Sequence, residues 1–159
     1  MNLSKLEELA DLISKVDNIN KGGCMVAAAM LAPHLSKHFP TKIKVLSYNC
    51  RTNISKIANC ISSNSVDEWN SHDVVFRHVL LEIKVDSNKV YFDSDGVHHT
   101  IDRMQEYLHA SLLPGELPIE VAIELAGDEN AHSWNTRFNR MNIPVIQDIV
   151  NQFFASATI

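Results

Sequence analysis

Hydrophobic positions recur at helical spacing near both ends of this chain and alternate in its middle. Leu3, Leu6, Leu9, Ala10, Leu12 and Ile13 stand three and four apart with charges between them. This predicts an amphipathic helix over Leu3 to Val16, with Ser4 near its start. After a polar loop, the run from Cys24 to Ala32 is apolar on every side and rich in good helix formers. It predicts a buried helix from about Cys24 to His38, kinked or broken near Ala32 because Pro33 falls inside it. Behind Pro144, the spacing of Ile143, Ile146, Ile149, Val150 and Phe153 predicts a last amphipathic helix over Ile143 to Phe154.

Alternation marks the strands. Lys42 to Tyr48 reads as a short one. From Val74 to Val85 the pattern is strongest: Val75, Val79, Leu81, Ile83 and Val85 share one parity, interrupted only by Arg77. The other parity carries Phe76, His78, Leu80, Glu82 and Lys84, so His78 falls on the more open face, near the strand end. Asp86-Ser87-Asn88 reads as a turn, and Lys89 to Asp93 returns as a second strand. A two-residue turn at Asp86-Ser87, or a longer loop in the same register, sets Asp95 opposite His78. Asp93 then stands opposite Leu80, one diagonal step from His78, and both separations are within side-chain reach. A slip of one residue would carry both aspartates to the wrong face.

The remaining stretches predict less. Asn53 to Ile61 reads as a helix capped by Thr52 or Asn53, and Ser62 to His72 as a polar loop holding Trp69. Asp95-Gly96 ends its strand, Thr100 to Ala110 reads as a helix, and Leu113-Pro114-Gly115 as a break. Ile119 to Ala126 alternates like a strand, but Pro118 before it and Gly127 after it favour a short helix. Trp134 to Arg140 is a compact aromatic and basic segment. No repeat, linker or low-complexity tract divides the 159 residues, so one domain over 1–159 is expected, of α+β class.

Composition narrows the function. A net charge of −5 offers no basic footprint for nucleic acid. No apolar run approaches the ~20 residues of a membrane span. The first helix mixes Lys5 and Lys15 with Glu7, Glu8 and Asp11, unlike a signal or transit peptide. Three cysteines, Cys24, Cys50 and Cys60, make no disulfide framework, which points to a reducing compartment, the cytoplasm. His34 and His38 are spaced like a metal-ligand pair, but the glutamate of a zinc-protease helix is missing and no third ligand is near in sequence. They read as a solvated, basic helix end, and neither metal nor cofactor is expected.

One constellation carries chemistry. Gly22-Gly23 meets Cys24 where the buried helix begins, at the positive end that favours an anion, and the thiolate is the reactive form of a cysteine. A strand histidine and an aspartate on the paired strand complete a nucleophile, base and orienting acid. Cys24 would attack a carbonyl carbon, His78 would move the proton, and Asp93 or Asp95 would hold the imidazole. The oxyanion would meet the Cys24 backbone N–H and a donor from Asn18 or Asn20. Cys50 and Cys60 lack a comparable setting and read as structural.

Gly22-Gly23-Cys24, the strand His78 to Ile83, the stretch Tyr91-Phe92-Asp93-Ser94-Asp95-Gly96 and the Trp134 to Arg140 segment together resemble the papain-like and transglutaminase-like cysteine enzymes. Small phage and bacterial members are the most similar. The resemblance implies a helical bundle carrying the cysteine helix, packed on an antiparallel sheet that carries His and Asp. It implies Asp93 as the orienting acid, with Asp95 the alternate, since twist or a bulge can shift a strand end. The expected activity is a cysteine hydrolase or acyltransferase acting on an amide or isopeptide bond of a protein or peptide-like substrate, through a thioester. Protease, amidase, deamidase and transglutaminase-like reactions all fit one such site. The location would be the host cytoplasm if the chain is phage-encoded. The alternative is a catalytically silent binding or inhibitory protein on the same fold.

Overall fold

A computed structural model describes residues 1–17, 19, 23–47, 76–101, 113–127 and 133–156. Its strands are β1 (Thr41–Ser47), β2 (Phe76–Val85), β3 (Asn88–Asp93), β4 (Gly96–His98) and β5 (Leu113–Leu117). Its helices are α1 (Leu3–Ser14), α2 (Cys24–Leu35), α3 (Ile119–Gly127) and α4 (Ser133–Ser156). The expected helix over Asn53 to Ile61, the loop with Trp69, the helix over Thr100 to Ala110, and Cys50 and Cys60 lie outside the described residues.

The strands form one antiparallel sheet in the order β4-β3-β2-β1-β5, so the fold is mixed α+β. Alternation does what the sequence pattern predicts. Val79, Leu81 and Ile83 of β2, Ile43 and Val45 of β1, and Val90 and Phe92 of β3 join one core with the helices. α2 sits at the centre of that core with Met25 through Ala29, Leu31, Ala32 and Leu35 buried. A helix apolar on all sides has to be covered on all sides. α1 supplies Leu6, Leu9 and Ile13, and α4 supplies Ile146, Val150 and Phe153. Among the described residues no helix is long and apolar enough to cross a membrane.

The far sheet face is less open than alternation alone suggests. Leu46 and Leu80 are buried there, with Tyr91 and Ile101 against them. Further along, charges take over: Glu116 lies 3.1 Å from Lys42 and 3.6 Å from Lys44, and Glu82 lies 3.5 Å from Lys89.

Several expected boundaries move, each for a physical reason. Ser4 lies near the start of α1 as expected, and the cap is Asn2, whose side chain accepts from the Lys5 N–H. α2 ends at Leu35, short of His38. His34 and His38 stack on Phe154, with ring centroids 5.1 and 5.9 Å away, while His38 and Lys37 stay exposed, so that helix end is solvated as expected. Leu113-Pro114-Gly115 is not a break but part of β5, which among the described residues pairs only with β1. An edge strand needs a ladder on one side only and so accepts a proline. Gly96 begins a further short strand instead of ending one. Ile119 to Ala126 is helical, as preferred. The Trp134 to Arg140 segment and the last helix are one 24-residue helix with Pro144 inside.

The β2–β3 hairpin takes the two-residue turn at Asp86-Ser87, pairing Val85 with Asn88 and Leu81 with Phe92. Asp86 adopts φ 55°, a left-handed backbone that a short polar side chain tolerates. Gly96, opposite Asp93 in the next hairpin, has φ 142°, where a side chain is strained. Gly96→Ala is therefore expected to cost about 1–3 kcal/mol. Gly127→Ala, in helical backbone with nothing within 4 Å of its Cβ, is expected to be neutral or stabilising by up to about 1 kcal/mol. Urea unfolding midpoints of the two variants check the contrast.

Candidate active site

Cys24 is the first residue of α2, and Gly23 before it supplies no side-chain cap. Among the described residues, no capping side chain answers the first-turn N–H groups. The Gly23 N–H donates to Ile19 O (3.0 Å) and the Ala27 N–H to Gly23 O (2.9 Å), so the helix starts firmly at the cysteine. The thiol is only partly buried, while its neighbours Met25 to Ala29 are buried.

His78 stands two residues in from the start of β2. There the β1–β2 ladder slips: Leu46 pairs with His78 but Ser47 pairs with Phe76, leaving Arg77 as an extra residue. Bulges re-aim the side chains beside them. The imidazole Nε2 lies 2.8 Å from Asp93 Oδ2, and Cys24 is near enough to the ring to favour its protonated form. His78 thus stands between Cys24 and Asp93, with 13 % of its side chain and 2 % of that of Asp93 exposed.

Register explains why the acid is Asp93. The β2–β3 pairing runs as the sequence pattern predicts and ends at Leu81–Phe92. Continued, it would set Asp95 opposite His78. Instead the chain turns at Ser94-Asp95 into β4, where Gly96 pairs with Asp93. Asp95 is exposed, and its backbone N–H donates to Asp93 Oδ1 at 2.9 Å. The diagonal neighbour, not the opposite one, reaches the imidazole. Asn18 and Asn20, the expected second oxyanion donors, lie outside the described residues.

A second histidine meets the same carboxylate. His98 Nε2 lies 3.0 Å from Asp93 Oδ1. The sequence reading stopped the strand at Gly96 and so missed it. Extending the Asp93–Gly96 hairpin by two residues, to the observed Tyr91–His98 pair, would have placed His98 diagonally from Asp93. Both imidazoles aim at the carboxylate rather than at a common point. Among the described residues, no group of three His, Cys, Asp or Glu is placed to hold a metal ion.

The charges follow from this geometry. Burial works against a charged His78 and is the largest single influence, but the hydrogen bonds and charges of Asp93 and Cys24 together outweigh it. They raise His78 from 6.5 to about 10. Burial likewise favours a neutral Asp93, yet the bonds and charges of His78, then of His98, hold its carboxyl below the ordinary range. At neutral pH the imidazole is a cation and the carboxylate an anion. Between α2 and the sheet lies a half-open pocket of about 10 Å³ lined by Ile13, Cys24, Ala27, Leu31, Val79, Phe92 and Asp93 among others. It has room for about one water.

No family model, curated protein or solved structure matches this chain.

His78 carries a pH signature. A histidine raised in the folded state stabilises fully below its ordinary value, near pH 6.5, and that contribution is lost as pH rises toward about 10. The stability difference between the parent and His78→Gln is expected to shrink steadily across that window. Thermal unfolding of both proteins at a series of pH values checks this, and a difference that grows with pH would contradict it.

Proposed function

We propose that this chain is a cysteine hydrolase or acyltransferase with a papain-like or transglutaminase-like core, acting on an amide or isopeptide bond of a protein or peptide-like substrate. The observation that carries the reading is the chain from Cys24 through His78 to Asp93. A thiol at an uncapped helix start, beside an imidazole held cationic by a buried carboxylate, is the setting in which sulfur serves as a nucleophile.

The thiolate of Cys24 attacks the carbonyl carbon, forming a C–S bond and moving the π electrons onto oxygen. The oxyanion meets the Cys24 backbone N–H at the positive end of α2. As the tetrahedral adduct collapses, the C–N bond breaks and His78 gives its proton to the leaving nitrogen, which leaves a thioester. Water, or an amine in a transferase, then adds to the thioester as His78 takes a proton from it. Collapse of that adduct frees Cys24 as thiolate, beside an imidazole that is again protonated. Asp93 never gains the proton; it holds the ring and stabilises the cation.

Labelling with iodoacetamide at limiting reagent, followed by peptide mass spectrometry, tests the activated thiol. Cys24 is expected to react at least about tenfold faster than Cys50 and Cys60, and to lose most of that advantage in His78→Ala and in Asp93→Ala. Asp95→Ala, which keeps the backbone donor to Asp93, is expected to label within about twofold of the parent. Equal labelling of the three cysteines would instead favour a binding or inhibitory protein on the same fold.

A further inference from the structure

The carboxylate that orients His78 has a second tenant, and its placement is regular. β3 is the middle strand of three, with His78 on β2 at one diagonal from Asp93 and His98 on β4 at the other. The oxygens are divided between them. Oδ2 meets His78 at 2.8 Å, while Oδ1 takes His98 at 3.0 Å and the Asp95 N–H at 2.9 Å. The His98 side chain is 25 % exposed and that of Asp93 only 2 %, so the contact between them joins a buried carboxylate to a ring that reaches solvent.

We propose that His98 is a positioning residue for the Cys24–His78 pair, covering Asp93 and holding Oδ1 so that Oδ2 stays on His78. The inference rests on the hydrolase reading of the site. A carboxylate anchored through one oxygen by two donors cannot rotate without losing both, so its other oxygen is fixed in direction. Remove the His98 ring and two effects compete. A lost donor would leave more negative charge on Asp93, strengthening its hold on His78. But the space opens to water, which donates in place of His98, so little donor strength is lost. Water also screens the charge that Asp93 presents to His78. Screening wins, and the imidazolium is held less tightly. Among the described residues, the charged groups facing the His78 ring are Asp93 and Cys24, and of these the change touches Asp93.

The test uses the full chain, its His98→Ala and His98→Gln variants, and His99→Ala as a control one residue along. Two readouts report the His78 proton. One is the imidazole titration by NMR. The other is the pH profile of Cys24 alkylation by iodoacetate, whose negative charge is drawn to an imidazolium and whose rate falls when His78 deprotonates. In His98→Ala both midpoints are expected to move down by about one pH unit, tenfold in proton affinity. His98→Gln, whose amide N–H falls near the place of Nε2, is expected to recover most of the shift, and His99→Ala to show none. A folded His98→Ala protein with an unmoved His78 midpoint overturns the proposal, as does a glutamine variant shifted as far as alanine. Should the alanine variant not fold, His98→Val, which suits a strand and donates nothing, takes its place with the same expected shift. If Cys24 of the parent reacts no faster than an unstructured thiol, the hydrolase reading falls. The NMR midpoint then still decides whether His98 positions Asp93.

Discussion

A carboxylate kept from water has to find hydrogen-bond donors, and among the described residues Asp93 finds three. An ionised group buried without them would cost several kcal/mol, so the local architecture is bound to the supply. The β2–β3 register brings one imidazole, the tight turn to β4 brings a backbone N–H, and the short β4 brings the second imidazole. Gly96, in a backbone conformation that other residues resist, lets the chain turn sharply enough for all three to converge. Slip any of these strands by one residue and the donors move to the other face.

The sulfur comes from the other half of the fold. α2 is apolar all round and walled in by α1, α3, α4 and the sheet, so its first residue is held at the end of a rigid rod. Catalytic groups on helices and strands are placed more accurately than groups on loops. Here thiol and imidazole sit on two elements that share one core, and each is only partly buried. The pocket beside them holds about one water, and the residues that follow Cys24 on α2, Met25 to Ala29, are buried.

Legibility followed periodicity. The helices at both ends, the long β2 strand, the hairpin register and the three candidate residues were readable because hydrophobic spacing and turn chemistry are local signals. Asp93 against Asp95 was not decidable from register alone. The opposite position is nearer on a flat ladder, and only the early turn at Ser94-Asp95 hands the contact to the diagonal residue. β5 was hidden because Pro114 and Gly115 look like a break, and nothing local shows that a stretch will be an edge. His98 was hidden for a similar reason: a three-residue strand has too little alternation to register, and its partner is set by a turn just before it. Pro144 split in the sequence a helix that runs unbroken through it, since burial of Ile146, Val150 and Phe153 sustains the helix beyond the missing N–H.

The loop leading into Cys24 has one more anchor. The buried side chain of Asn142, on α4, donates to the backbone oxygen of Asp17 at 2.9 Å across 125 positions of sequence. A single side chain thus fastens the backbone ahead of α2 to a helix far along the chain. A substitution at Asn142 would therefore be felt near Cys24 without touching it.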